Sequence, residues 1–396
     1  MKKELTRKIC AARHTGEVAP MDYLVITDDR KEKVRIGMRL VVDKPKTYTP
    51  ERVKWIRSQI KDLLTPQVKK DFSEDEIFYT SVYDFWAYGN TISEEFCFNF
   101  LYKTHAEKKL YTTFRTRLNL LYKINDRSLA YIFHDKYETY ERFNDYYLRD
   151  VVKISGVSDY EKFQEFVLKH PVFVLKPLAS SLGRGVRKVD VRDYASVDSL
   201  FSELLAQGAS MLDVSFYDDR SFIVEELIDQ DLHMAAIHPS SVNAVRVPTL
   251  RLKDGNVRVL YPWVKIGANN QFVSSTAFGT YDAGIDVKTG IINTDGYKEN
   301  GEKLAVHPIT GVVFRGYVVP RWDELMQLTI RLAKSLPPSI NYIGWDMALT
   351  PKGWCIMEAN FTGDFMWQLF QERGFLKEWE ELTGITLQDD FWWKSV

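Results

Sequence analysis

The sequence predicts an α+β protein, with a mainly helical N-terminal region followed by strands mixed with helices. Three observations carry this. Apolar residues recur at helical spacing from Glu51 onward. After Gly156 short β-like runs alternate with helix-like runs, the pattern of an α+β or α/β enzyme domain. No internal repeat or low-complexity tract interrupts the chain.

The bulk numbers narrow the classes. The 396 residues allow two or three domains at roughly 100–200 residues each. Hydrophobic residues are 45% and charged residues 27%, which fits a folded chain and not a disordered one. Lys plus Arg is 53 and Asp plus Glu is 54. A globally basic nucleic-acid binder is therefore disfavoured, and no nucleic-acid partner is expected. Three scattered cysteines, Cys10, Cys97 and Cys355, form no CxxC pair or disulfide framework, so a reducing cytoplasm is expected. The basic N-terminus lacks the apolar stretch of a signal peptide, and no run has the length of a membrane span.

In chain order, residues 1–50 are expected to be an extension of mixed character, closed by Pro45 and Pro50. Residues 51–150 are expected to form a helical domain. ERVKWIRSQIKDLL puts Val53, Ile56, Ile60 and Leu63 or Leu64 on one face. The stretch 77–150 is dense in Phe, Tyr and Arg; it suits a packed helical core, or aromatic faces for a sugar ring. Strands are expected at 171–176, 185–191, 221–228, 245–252, 257–266, 341–350 and 354–360, with helices at SVDSLFSELLAQG and WDELMQLTIRLAKSL.

Three segments carry chemistry. In KPLASSLGRGV a strand delivers Lys176 and then a small-residue loop. Backbone N–H groups in such a loop can surround a phosphate, and the lysine adds a point charge. GVRKVDV reads as a strand, so the strand–loop–helix of Walker and Rossmann motifs is absent. The loop is the tip of a hairpin, either covering a nucleotide's phosphates or an ordinary glycine turn. SFIVEELIDQD is a short apolar strand ending in acids. It offers backbone groups to adenine and carboxylates to ribose, or it is a charged edge strand.

The third segment is GWDMALTPKGWCIMEAN. A three-residue loop over 351–353 pairs Thr350 with Trp354 and places Asp346 opposite Glu358. Asn360, two residues on, shares their face. Oxygen-only ligands suit Mg²⁺, which keeps water and takes phosphate oxygens besides. A surface hairpin is the alternative, and the neighbouring Trp345, Met347, Ile356 and Met357 weigh against it.

In this order the segments resemble the ATP-grasp superfamily, and within it the proteins of sugar transfer and polysaccharide biosynthesis (the teichuronopeptide-type group). FYTSVYDFWAYG, HDKYETYERF, HPSSVNAVRVPTL and HPITGVVF add to the likeness, which runs over about residues 75–375. The resemblance implies two α+β subdomains gripping ATP: a lid subdomain at 151–231 and a C-terminal subdomain with the Mg²⁺ site at 232–396. It implies Lys136 and Lys176 as phosphate lysines, and Ser180, Ser181, Gly183 and Gly185 as the lid loop. Glu225, Leu227 and Ile228 become the adenine hinge and Asp231 a ribose ligand. Asp346, Glu358 and Asn360 become the Mg²⁺ ligands. Asn243 and Arg246 face the transferred phosphate and the acceptor, with Arg149 a further candidate. Lys265 and Ser274-Ser275 stand where relatives usually carry an arginine and an Asp-Asn pair, which leaves acceptor recognition open.

The activity implied is carboxylate–amine ligation through an acyl phosphate, on a sugar acid or an amino acid in glycan biosynthesis. A kinase acting on a hydroxyl uses the same ATP residues, and a non-catalytic nucleotide-binding protein is a second alternative. A polyanion binder along Lys103, Lys108, Lys109, Arg115, Arg117 and Lys123 is a third, and a solvated helix face explains those charges as well.

Overall fold

The structure is a computed structural model and describes residues 21–180, 183–211, 220–269, 272 and 279–386. Helices fill its first part. Pro50–Leu63 buries Ile56, Ile60 and Leu63; Thr49 caps it, with Pro50 at its first turn. Glu74–Tyr88 starts with a reciprocal capping box between Ser73 and Glu76. One helix was not expected. Arg30–Asp43 lies within the segment read as mixed, and Asp29 caps it by accepting from Glu32 N at 2.7 Å. It crosses the Glu74–Tyr88 helix at Gly37, where a Cβ would lie 2.1 Å from the Tyr79 carbonyl oxygen. Only glycine fits that crossing.

The core between these helices holds a charged pair. Lys108 Nζ sits 2.6 Å from Asp84 Oδ2, both side chains fully buried. Arg117 is buried too. The basic residues of 103–123 therefore do not form one solvated stripe, because two of them point into the protein.

Two antiparallel sheets follow. The first comprises β1 (Val151–Ile154), β2 (Val172–Pro177), β3 (Arg187–Asp190) and β4 (Phe222–Glu226), in the order β1-β4-β2-β3. Helices Tyr160–Lys169 and Val197–Met211 contribute Phe163, Phe166, Leu200 and Leu204 to a core with Phe173, Leu175, Phe222 and Val224.

The second sheet comprises β5 (Ala244–Arg251), β6 (Val257–Val259), β7 (Trp263–Gly267), β8 (Thr280–Gly284), β9 (Gly296–Tyr297), β10 (Lys303–Leu304), β11 (Tyr342–Thr350) and β12 (Gly353–Asn360). Its order is β10-β9-β8-β7-β5-β11-β12, with β6 also on β5. The run 257–266 thus divides in two, around Pro262, which has no N–H for a ladder. Strands alternate faces. Val245, Val247, Trp345 and Met347 share a core with Leu325, Leu328 and Leu332 of helix Trp322–Lys334. Arg246 and Asp346 therefore lie on the opposite face.

Candidate active site

The β11–β12 hairpin sets the register of the site. Its turn has two residues, Pro351 and Lys352, because Thr350 pairs with Gly353 and not with Trp354. A turn of that length alone would carry Glu358 to the wrong face. A β-bulge beside Asp346 and Met347 corrects it, since Met347 pairs with Ile356 and Asp346 pairs with Glu358. The expected opposition holds, but the expected three-residue loop does not.

Asp346 is 6% exposed and heavily partnered. Arg246, its register neighbour on β5, binds it through both ends, Nε to Oδ1 at 2.5 Å and Nη2 to Oδ2 at 2.7 Å. Lys265 Nζ is 3.4 Å away, and Asn360 Nδ2 donates to Oδ2 at 3.3 Å. Burial pushes this carboxyl up; Arg246 and Lys265 outweigh it and hold the pKa below its usual value. Glu358 is more open and lies 3.7 Å from Lys136 Nζ.

These residues fit a hard divalent cation. Two carboxylates and an amide sit together on one face, and Asp346 and Asn360 are already in contact. Asp346 Oδ2 already accepts from Arg246, Asn360 and Lys265, so Oδ1 and the more open Glu358 carboxylate are the oxygens with lone pairs to offer. Oxygen donors of this kind suit Mg²⁺.

The first sheet adds a second charged group. Lys176 Nζ lies 2.7 Å from Glu225 Oε2, and the Arg149 guanidinium donates to the same oxygen at 3.0 and 3.1 Å. Glu225 is 3% exposed. Burial raises its pKa, yet Lys176 and Arg149 bring it down to about 2. Burial lowers the Lys176 pKa more than Glu225 restores it. Arg149 also donates Nη1 to the Ile356 carbonyl of β12 at 2.7 Å, which ties the two sheets together.

Lys136 begins helix Lys136–Phe143. Its N–H donates to the Leu178 carbonyl and its Nζ to the Ser180 carbonyl at 3.0 Å. Gly183 and Gly185 take left-handed φ of 70° and 72° at the tip of the β2–β3 hairpin, a conformation that glycine adopts without strain. The segment is strand–loop–strand, as read. Ser181 lies outside the described residues, as do Ser274 and Ser275.

Four predicted residues stand apart from this charged group. Leu227 and Ile228 follow β4 and are half-buried. Asp231 caps helix Leu232–Ile237 by accepting from His233 N at 2.9 Å. Asn243 is fully buried, and its Nδ2 donates to the carbonyls of Met234 and His238 at 2.7 and 2.8 Å. That amide braces the 234–238 turn.

Residues with no expected place in the site also gather here. Arg117 Nη2 pairs with Asp364 Oδ1 at 3.0 Å. Asp282 pairs in register with Lys265. Asp364 lies four residues beyond Asn360, close enough in sequence to be noticed; Asp282 sits in TYDAG, which carries no signal of its own. Gly344 and Gly363 flank Arg246: a Cβ at either would sit 3.3 or 3.2 Å from Nη1.

The family described as sugar-transfer associated ATP-grasp matches residues 115–383. The chain belongs to this family. Among solved structures, D-alanyl-alanine synthetase A from Vibrio cholerae O1 biovar eltor is 13% identical, with a TM-score of 0.36 over 65% of this chain and 62% of that one. A D-alanine–D-alanine ligase from Helicobacter pylori is 11% identical, with a TM-score of 0.38 over 67% and 62%. The biotin carboxylase domain of the Hydrogenobacter thermophilus 2-oxoglutarate carboxylase, in complex with MgADP and bicarbonate, is 16% identical, with a TM-score of 0.38 over 68% and 46%. The chain thus spans less than two thirds of the length of each. No curated protein matches it. The ATP-grasp resemblance drawn from the motifs is therefore confirmed at the level of family. No helix among the described residues is long and apolar enough to cross a membrane.

Proposed function

We propose that this protein is an ATP-dependent ligase that joins a carboxylate to an amine through an acyl phosphate. One observation supports this most. Lys136 reaches both halves, 3.0 Å from the Ser180 carbonyl at the start of the glycine-rich tip and 3.7 Å from Glu358 on the hairpin. A triphosphate lying along that lysine has the tip above it and the Asp346, Glu358 and Asn360 oxygens below it.

In this reading Lys136 and Lys176 hold phosphate oxygens, and Gly183 and Gly185 let the tip close over them and exclude water. The backbone at Glu225, Leu227 and Ile228 takes adenine, and Asp231 lies toward ribose. Asp346, Glu358 and Asn360 would hold Mg²⁺, which supplies charge neutralisation for the transferred phosphate. Arg246 stabilises charge on the acceptor carboxylate as it attacks the γ-phosphorus, with ADP leaving. Asn243 acts from behind by fixing the start of β5. The amine then displaces phosphate and an amide forms. The family's link to sugar transfer favours a sugar acid or an amino acid as acceptor.

The test is product analysis with ATP, Mg²⁺ and a panel of uronic acids and amino acids, with and without amines. Inorganic phosphate and an amide are expected. A stable phosphoester would overturn the ligase in favour of a kinase. ATP binding without turnover on any acceptor would favour a non-catalytic nucleotide-binding protein.

A further inference from the structure

The charged face does not end at Arg246. Across the sheet, Lys265 on β7 stands in register with Asp282 on β8. Asp282 is 8% exposed, and its Oδ1 is buried with no hydrogen-bond partner among the described residues. A buried carboxylate oxygen without a donor costs about 1–3 kcal/mol or more, so the fold keeps it there against its own stability. It lies on the same face as Arg246 and Asp346, beyond them from the hairpin's Glu358. That is the side away from the phosphate lysine Lys136.

We propose that Asp282 binds the amine substrate and takes its proton. This rests on the ligase reading above. An ammonium group supplies the donor that Oδ1 lacks, and a negative group beside Lys265 and Arg246 draws the amine toward the acyl phosphate those cations hold. The amine binds as R–NH₃⁺ and gives one proton to the Asp282 carboxylate. The freed nitrogen pair attacks the carbonyl carbon; the C–N bond forms and the C–O bond to phosphorus breaks, its electron pair leaving with phosphate. The second N–H proton leaves on that phosphate, and the third stays on the amide.

The surroundings suit a proton acceptor. Burial pushes the Asp282 carboxyl up to about 7 against Lys265 and Arg246, with Asp364 and Asp346 adding to the rise. Its register neighbour on β9 is Tyr297.

The experiment compares hydroxylamine with ordinary amines. Hydroxylamine is uncharged near neutral pH and needs no group to deprotonate it, so it traps the acyl phosphate as a hydroxamate. With a panel of uronic acids and amino acids as the carboxylate, wild-type and Asp282→Asn enzymes are each given hydroxylamine or a panel of amino acids and amino sugars. The expected result is a fall of at least about tenfold in the variant's amide-to-hydroxamate ratio. Its amide rate should also keep climbing with pH above 7, as free amine accumulates, while wild type levels off. Continued hydroxamate formation shows that the variant is folded. An unchanged ratio, or equal loss of both products, overturns the assignment and leaves the ligase standing. A wild-type enzyme that makes hydroxamates but no amide with any amine counts against an amine site here. A wild-type enzyme that makes neither product overturns the ligase reading and this assignment with it.

Discussion

Asp346 and Glu358 face each other across a hairpin whose turn, at two residues, is one short of the length that would align them. The bulge beside them makes up the difference. The two acids differ in setting. Asp346 is buried in a clamp from Arg246, whereas Glu358 is more open and, among the described residues, pairs with Lys136 at 3.7 Å.

That contrast makes Glu358 the better probe of the proposed metal site. Glu358→Gln should lower Mg²⁺-dependent ADP formation by at least about a hundredfold. Its folding stability should stay within about 0.5 kcal/mol of wild type, because the side chain is 39% exposed. Mg²⁺ titration of turnover, with urea unfolding beside it, is the measurement. Full turnover in the variant would remove Glu358 from the metal set.

Gly363→Ala tests the free edge of Arg246. The added methyl lands 3.2 Å from Nη1 and 3.3 Å from the Gly344 Cα, so the guanidinium and the facing β11 backbone must give by a few tenths of an ångström. A tenfold fall in kcat, about 1.4 kcal/mol of barrier, is expected with little change in melting temperature. Unchanged kcat would mean that this edge of Arg246 does not touch the reacting groups.

Glu225 should leave a mark on acid stability. Its pKa is lowered from 4.5 to about 2 in the fold. The folded state therefore binds this proton less tightly than the unfolded chain does. The stabilisation, about 3 kcal/mol, is complete above the unfolded value and is lost as pH falls toward 2. Glu225→Gln should be destabilised by about that amount at pH 7, and the gap should close between pH 5 and 2. Urea unfolding across that range checks it; a constant gap would show that the ion pairs do not set the difference.

Glu95 predicts the opposite slope. Burial and then Asp84 raise its carboxyl well above the usual value, while Lys108 and Asn90 oppose them. Here the folded state holds the proton more tightly, so its contribution is complete below the unfolded pKa and is lost as pH rises. Glu95→Gln keeps a neutral side chain and should melt about 2–4 °C higher than wild type at pH 8, roughly the effect of 1 kcal/mol in a domain of moderate size. The two should converge near pH 4. A gap between the two melting temperatures that stays constant across this range would show that the fold does not tighten the hold of Glu95 on its proton.

Much of this was readable before any coordinates. The β-like run at 245–252 holds β5, and Pro50, which reads as a break in the sequence, opens the helix that Thr49 caps. Lys176, Glu225, Asp346 and Glu358 stand out in the sequence because each lies in a run with its own pattern. Partnership was not readable. Nothing local says that Glu225 spends its charge on Lys176 and Arg149, 49 and 76 residues away. Nor does spacing show that Asp231 and Asn243 satisfy backbone groups of a neighbouring helix. The bulge escaped because a strand with one extra residue has no compositional signature; the right opposition was reached through the wrong turn. Asp282 escaped because its partner Lys265 is joined to it only by a sheet register.

Arg149 has one more consequence. Its single guanidinium grips Glu225 of one sheet and the Ile356 carbonyl of the other. The two halves of the clasp are therefore not interchangeable parts. A chimaera that borrows residues 151–231 from a relative keeps the host's arginine, and the graft will seat only where the donor offers a carboxylate at position 225.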